Sequence, residues 1–200
     1  MHTRSLFRTL VAVLPLAVLL LMGAGAAPQR PSAELKWYTM EEAYQMVASN
    51  PANEKKVLVD MYTDWCGWCK RMDATTFHNP EVVAYVQEHY IPVKMDAETR
   101  ETITIGGKAF TFQPNGRRGT HELAALIGNV DGKMAYPTLV FLNERFQLIQ
   151  ALQGYQSPEG LMPILTYLGE DRFADQSFED FLEEWNAQHG GAPNTPSNEG

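Results

Sequence analysis

Cysteine is scarce. The 200 residues hold two, Cys66 and Cys69. Two cysteines cannot brace a small secreted domain as a multi-disulfide scaffold does. They also leave a zinc site short of ligands, because the separation of His78 and His89 does not fit the usual histidine spacing. Positive charge is in short supply as well: 16 Lys+Arg stand against 24 Asp+Glu, for a formal charge of −8. With a pI near 5.1, the chain lacks the basic face that nucleic acid requires and has no attraction for anionic lipid headgroups. No segment repeats. Apolar residues make up 44% and charged residues 20%, which excludes wholesale disorder, collagen and a polytopic membrane protein. The length fits one domain with appendages.

The N-terminus has the pattern of an address. Arg4 and Arg8 precede an apolar run from Leu10 to Met22, and Gly23 to Ala27 are all small. This is the layout of a secretory signal peptide over residues 1–26, with Ala24-Gly25-Ala26 as the exit. The competing reading is an uncleaved N-terminal anchor, since Leu10 to Ala27 is 18 residues without a charge. No cysteine stands at the exit, so a lipid anchor is excluded. Loss of the leader removes two arginines and takes the formal charge from −8 to −10. The expected location is periplasmic or secreted. In such a compartment, two close cysteines form either a structural disulfide or a redox centre held in one state by a partner.

Residues 27–36 are polar and proline-bearing, and are expected to be a linker. Thr39-Met40-Glu41-Glu42 forms a capping box before a helix that Asn50-Pro51 ends. Val57 to Tyr62 is a nearly continuous apolar run, as in a strand buried on both faces. Helix signals follow at Cys66–Met72 and from Asn79-Pro80 to His89, with a strand over Ile91–Met95. Thr102–Ile105 and Lys108–Phe112 flank Gly106-Gly107, a hairpin signal. A helix is predicted over Gly119–Ile127, with Leu123, Leu126 and Ile127 on its apolar stripe. Strands are predicted over Thr138–Leu142 and Phe146–Ile149, and helices after Ser157 and Ser177. Residues 189–200 have nothing to anchor a core and are expected to be a disordered tail. The order predicts an α/β fold with a mixed central sheet flanked by helices.

Trp65-Cys66-Gly67-Trp68-Cys69-Lys70 follows the buried strand and opens a helix. Free backbone N–H groups at a helix N-terminus stabilise a thiolate. Two intervening residues on a first helical turn bring the sulfurs within bonding reach. Cys66, expected at an exposed tip, is the candidate nucleophile; Cys69, a turn deeper, is the candidate resolving thiol. Haem attachment would need His at position 70, where Lys stands. An inert structural disulfide is a weaker reading, because so short a loop constrains the unfolded chain little.

Val57 to Lys70 resembles the active-site segment of thioredoxins. Asp60, Trp65 before the first cysteine and Lys70 after the second all match in place. Tyr136-Pro137-Thr138-Leu139-Val140-Phe141 resembles that family's cis-proline strand. The resemblance runs from about residue 35 to 168. Secreted proteins of the family share Tyr62-Thr63-Asp64-Trp65-Cys66-Gly67-Trp68-Cys69-Lys70; the C-terminal domain of the disulfide reductase DsbD is a more distant relative. The resemblance implies a thioredoxin fold over residues 37–188. It implies that Asp60 moves the proton of Cys69, although a carboxylate ending a strand is the plainer alternative. It places Lys94 beside Asp60, where an ordinary solvated strand lysine is the alternative. It implies that Pro137 packs beside the disulfide, and that Trp65, Gly67, Trp68 and Tyr136 help bind substrate.

Two departures stand out. Trp68 replaces the family's proline, so a strongly reducing character does not carry over. Residues 97–130 exceed the minimal fold and include an inserted hairpin and helix with Arg117 and Arg118. This insert is either a partner-docking element or a scaffold embellishment. The expected function is an exported thiol–disulfide oxidoreductase that exchanges with protein disulfides, in the reducing direction. It needs no cofactor or metal, and draws electrons from a membrane-embedded thiol protein. The alternative is a non-catalytic binding module such as a thiol metal chaperone, with His121 and Met134 as added ligands.

Overall fold

The structure, a computed structural model, describes residues 34–190. The leader, residues 27–33 of the expected linker and the last ten residues of the tail lie outside that range. The run Val57-Leu58-Val59-Asp60-Met61 forms the centre of strand β1 (Lys56–Tyr62) and is buried throughout. β1 pairs in parallel with β2 (Tyr90–Asp96) and antiparallel with β7 (Thr138–Leu142), which pairs antiparallel with β8 (Leu148–Gln153). The resulting four-stranded sheet has the order β2-β1-β7-β8. The register sets Asp60 between Lys94 and Leu139.

Strand periodicity divides β1 between two cores. Val57, Val59 and Met61 pack in one cluster with residues of α1 (Met40–Ser49), α4 (Glu122–Gly128) and a small hairpin, β3 (Ile103–Ile105) and β4 (Lys108–Phe110). Leu58 packs on the other side with Met72 of α2 (Gly67–Thr75), Val82, Val83 and Val86 of α3 (Pro80–His89), and Leu161 and Leu165 of α5 (Pro158–Gly169). Asp60 shares the parity of Leu58, so it enters the core beneath α2. Beyond α5, Phe181 of α6 (Phe178–His189) buries itself against Tyr167.

Caps set the helix boundaries. Thr39 and Glu42 exchange both capping-box hydrogen bonds at α1. The Asn79 side chain accepts from two amides at the start of α3, with Pro80 as the first helical residue. Gly106 and Gly107 turn the β3–β4 hairpin at φ of +59° and +80°, values that L side chains avoid.

Several sequence expectations are corrected. The predicted helix over 119–127 begins at Glu122; Arg118–His121 is instead strand β6, paired with β5 (Phe112–Asn115). Packing selects strand here: a Cβ on Gly119 would lie 2.3 Å from the Phe112 ring and 2.4 Å from the Gln113 carbonyl oxygen. The stripe of the short helix is Leu123, Ala124 and Ile127, while Leu126 is 62% exposed. The strand expected over 146–149 starts at Leu148, because Phe146 occupies the turn with φ +63°. Leu35, expected in the linker, is buried in the second cluster. Nearby, the Tyr38 amide donates to the Pro92 carbonyl and the Lys94 amide to the Tyr38 carbonyl, extending the sheet edge. Among the described residues, no helix is long and apolar enough to cross a membrane.

Candidate active site

β1 ends at Tyr62 and the chain reaches α2 four residues later, with Cys66 at the N-cap. Cys66 has extended backbone angles, and its Sγ accepts a hydrogen bond from the Cys69 amide at 3.0 Å. A disulfide joins Cys66 to Cys69 across a Cα–Cα distance of 5.3 Å. Cys66 is 4% exposed, so it does not form the open tip expected from the sequence. In the oxidised form its sulfur turns onto the Cys69 amide and the partner sulfur. The exposed surface there belongs to Gly67 and to Trp65 and Trp68, at 52% and 55%.

Each tryptophan is held by its own set of neighbours. The Trp65 Nε1–H donates to Glu98 at 3.1 Å, the Tyr136 ring meets its ring edge-on at 5.9 Å, and the Arg118 guanidinium lies 4.5 Å from its centroid. Trp68 packs on Tyr155 at 5.6 Å. The Arg71 guanidinium covers both rings, at 5.2 and 5.4 Å. Contact with Tyr136 places the start of β7 beside the cysteine segment. The Tyr136–Pro137 peptide bond is cis, and Pro137 is buried.

Beneath α2 lies a charged triad. Lys94 Nζ donates to Asp60 from the neighbouring strand and to Asp73 from α2. Asp73 follows Cys69 by one helical turn, so the two share a face of α2. Lys94 thereby ties the sheet to the helix that carries the second cysteine. Burial pushes the Asp60 carboxyl up to about 6, against the opposing pull of the Lys94 ammonium. Lys94 is itself raised, because its two carboxylates outweigh the downward effect of burial. Asp60 Oδ1 and the Thr63 hydroxyl are buried without a hydrogen-bond partner among the described residues. An aspartate so placed can change protonation near neutral pH, where an exposed aspartate is always ionised.

The structure gathers Trp65, Gly67, Trp68 and Tyr136 around the buried Cys66–Cys69 disulfide, with Pro137 buried beside Tyr136 and with Asp60 and Lys94 beneath α2. It sets His121 apart. His121 is fully buried; its Nδ1 accepts from the Leu123 amide at 3.2 Å and its Nε2 lies 3.2 Å from the Phe110 carbonyl oxygen. Nδ1 thus caps the start of α4 and Nε2 ties that cap to the end of β4. Met134 packs against the first core cluster. Among the described residues, no group of three or more His, Cys, Asp or Glu side chains is placed to hold a metal ion. The reading of the sequence missed Asp73, Glu98, Arg71 and Tyr155, and named Arg118 only as part of the insert, without its place over Trp65. Asp73 was within reach, since its four-residue offset from Cys69 marks a shared helix face. The others carry no local signal.

Comparison with known proteins gives the same picture. The family described as Thioredoxin-like domain matches residues 43–169. The thiol:disulfide interchange protein DsbD of Vibrio vulnificus is 37% identical over 54 residues, covering 27% of this chain and 9% of that protein. The chain therefore spans a small fraction of that relative's length. An uncharacterised protein of Archaeoglobus fulgidus is 27% identical over 95 residues, covering 48% of this chain and 72% of that one. A solved thioredoxin-fold protein of Helicobacter pylori superposes with a TM-score of 0.50 at 17% identity, over 74% of this chain and 94% of its own. Fold, motif and family match agree: the chain belongs to the thioredoxin-like family and is distantly similar to DsbD.

Proposed function

We propose that the chain is a thiol–disulfide oxidoreductase that reduces protein disulfides after export, fed by a membrane-embedded thiol protein. One observation carries the reading: the Cys66–Cys69 pair opens α2, and that helix is tied through Asp73 to the Lys94 that also holds the buried Asp60. The name of the similar protein, thiol:disulfide interchange protein, supports the same class of chemistry.

The steps balance as follows. The Cys66 thiolate attacks one sulfur of a substrate disulfide. That bond breaks, a Cys66–substrate disulfide forms, and the first substrate thiolate leaves and takes a proton. Asp60 accepts the Cys69 thiol proton, and the Cys69 thiolate attacks Cys66. The mixed disulfide breaks, the second substrate thiolate leaves, and Cys66–Cys69 is oxidised. Two electrons pass to the substrate. The membrane thiol protein returns them by the same exchange in reverse. Trp65 and Trp68 supply an apolar platform beside the sulfurs. Pro137 has no N–H, so the backbone before it is free to pair with an extended substrate.

Trapping tests the reading. Cys69→Ser is expected to accumulate a mixed disulfide through Cys66 that dithiothreitol releases, while Cys66→Ser accumulates none. A reduction potential of about −270 to −200 mV agrees with net reduction; a value near about −120 mV would reverse the proposed direction. A pair that never cycles would remove the enzymatic reading.

A further inference from the structure

Both tryptophans beside the disulfide carry an arginine. Arg118 lies over Trp65, and Arg71 lies over Trp68 and Tyr155 together. Both arginines are exposed, and neither forms an ion pair with a carboxylate of the described residues. A guanidinium stacked on a ring keeps its N–H fork free for an incoming carboxylate. The two flanks differ in their surroundings. Around Trp65 stand Glu98, which accepts the indole N–H, together with Asp64 and Asp96; burial and the neighbouring Asp64 and Glu98 charges push the Asp96 carboxyl up. On the Trp68 side Arg71 shares the first turns of α2 with exposed Lys70. The Tyr155 hydroxyl, 3.1 Å from the Thr75 hydroxyl, tethers the ring under Arg71. The positive flank is therefore the Trp68 side.

We infer that Arg71, stacked on Trp68 and Tyr155, selects substrates that carry an acidic side chain beside the reactive disulfide, with Arg118 in a weaker second role. This rests on the exchange reading above and specifies its substrates. The overall charge of −8 does not oppose it at contact range. At physiological ionic strength, fields are screened over about 8 Å, so the nearest fixed charge governs the docked segment. Arg118 contributes less because Glu98 stands at the same indole.

The test uses three short disulfide peptides that differ only beside the cysteine: two aspartates, two serines or two lysines. Reduced protein exchanges with each, and kcat/KM is compared. The expected order is acidic over neutral over basic, by about threefold per step, the size of an exposed charge pair. Arg71→Glu is expected to invert the order; Arg118→Glu is expected to narrow it. The preference should shrink at high salt. Arg71→Lys separates charge from the stacked fork: it retains the sign of the preference and lowers its size. Equal rates for the three peptides, or a preference that Arg71→Glu leaves intact, overturn the inference while the exchange reading stands. No exchange with any of the three removes both.

Discussion

Asp60 holds its proton to a pH at which an exposed aspartate has long lost it. Its folded value of about 6 lies above the ordinary 3.8 because burial penalises the anion more than Lys94 favours it. Between those two values the folded chain binds a proton that the unfolded chain has released, so stability falls as pH rises through the window. Above about pH 6 the full penalty applies, of about 2 to 3 kcal/mol. Asp60→Asn removes the ionisable group and is expected to raise stability at pH 7.5 by about 2 kcal/mol, measured by urea unfolding at pH 4 and pH 7.5. The gain should vanish at pH 4. The same variant is expected to slow resolution of a mixed disulfide by about 100-fold, the usual scale of a lost general base, and to abolish a rate inflection near pH 6. A variant that is more stable yet equally fast would detach Asp60 from the chemistry. The signal for this residue was plain in the sequence, because an acid inside a buried apolar run is costly without a partner. The offset of Asp73 from Cys69 was legible on the helix face, but its bond to Lys94 follows only from the packing of strand and helix.

At the scale of elements, the β5–β6 hairpin is what distinguishes the neighbourhood of Trp65. It delivers Arg118 to the indole from a position 53 residues along the chain. Its register depends on Gly119, which faces Pro114 under the Phe112 ring. A methyl group there meets a backbone oxygen as well as the ring, so the pair must separate. Gly119→Ala is expected to cost about 1 to 3 kcal/mol. Amide hydrogen exchange locates the damage: amides of 112–121 should exchange faster, while those of β1 and β7 keep their order relative to global unfolding. Uniform acceleration across the chain would show that the hairpin is integral to the main core. Pro114-Asn115-Gly116 marks a turn in the sequence, while the strand pairing on either side of it has no local signal. The spacing of Leu123, Leu126 and Ile127 predicts a helix reaching back to Gly119, whereas the buried stripe is Leu123, Ala124 and Ile127 and the helix starts at Glu122. Cross-strand packing settled the boundary.

At the scale of the molecule, the sheet is locked to its C-terminal helices by a buried cation. Lys56 at the start of β1 is 3% exposed, and its ammonium reaches Asp171 at 2.8 Å and the Gly169 carbonyl at 3.3 Å. Asp171 sits in the left-handed region at φ +56°, which asparagine also tolerates. Asp171→Asn therefore isolates the loss of charge. Because Asp171 is half exposed, solvent compensates in part, and the expected cost is about 1 kcal/mol in thermal or urea unfolding. Lys56→Met, which removes the buried charge outright, should be tolerated better than Asp171→Asn. The opposite ranking would mean that the ion pair contributes net stability.

What the sequence by itself determined is the local chemistry. The two cysteines one turn apart, the strand before them and the capping residues are each written within a few residues of one another. Short-range spacing dictates them through backbone geometry alone. The tertiary structure decided everything that depends on chain segments meeting. It turned Cys66 inward, gave Lys94 two carboxylates, placed His121 between the start of α4 and the end of β4, and set an arginine over each tryptophan. Those contacts link Trp65 to residues 33, 53 and 71 positions away. No periodicity encodes such distances, because side chains that far apart become neighbours only when burial of the two cores closes the loops between them.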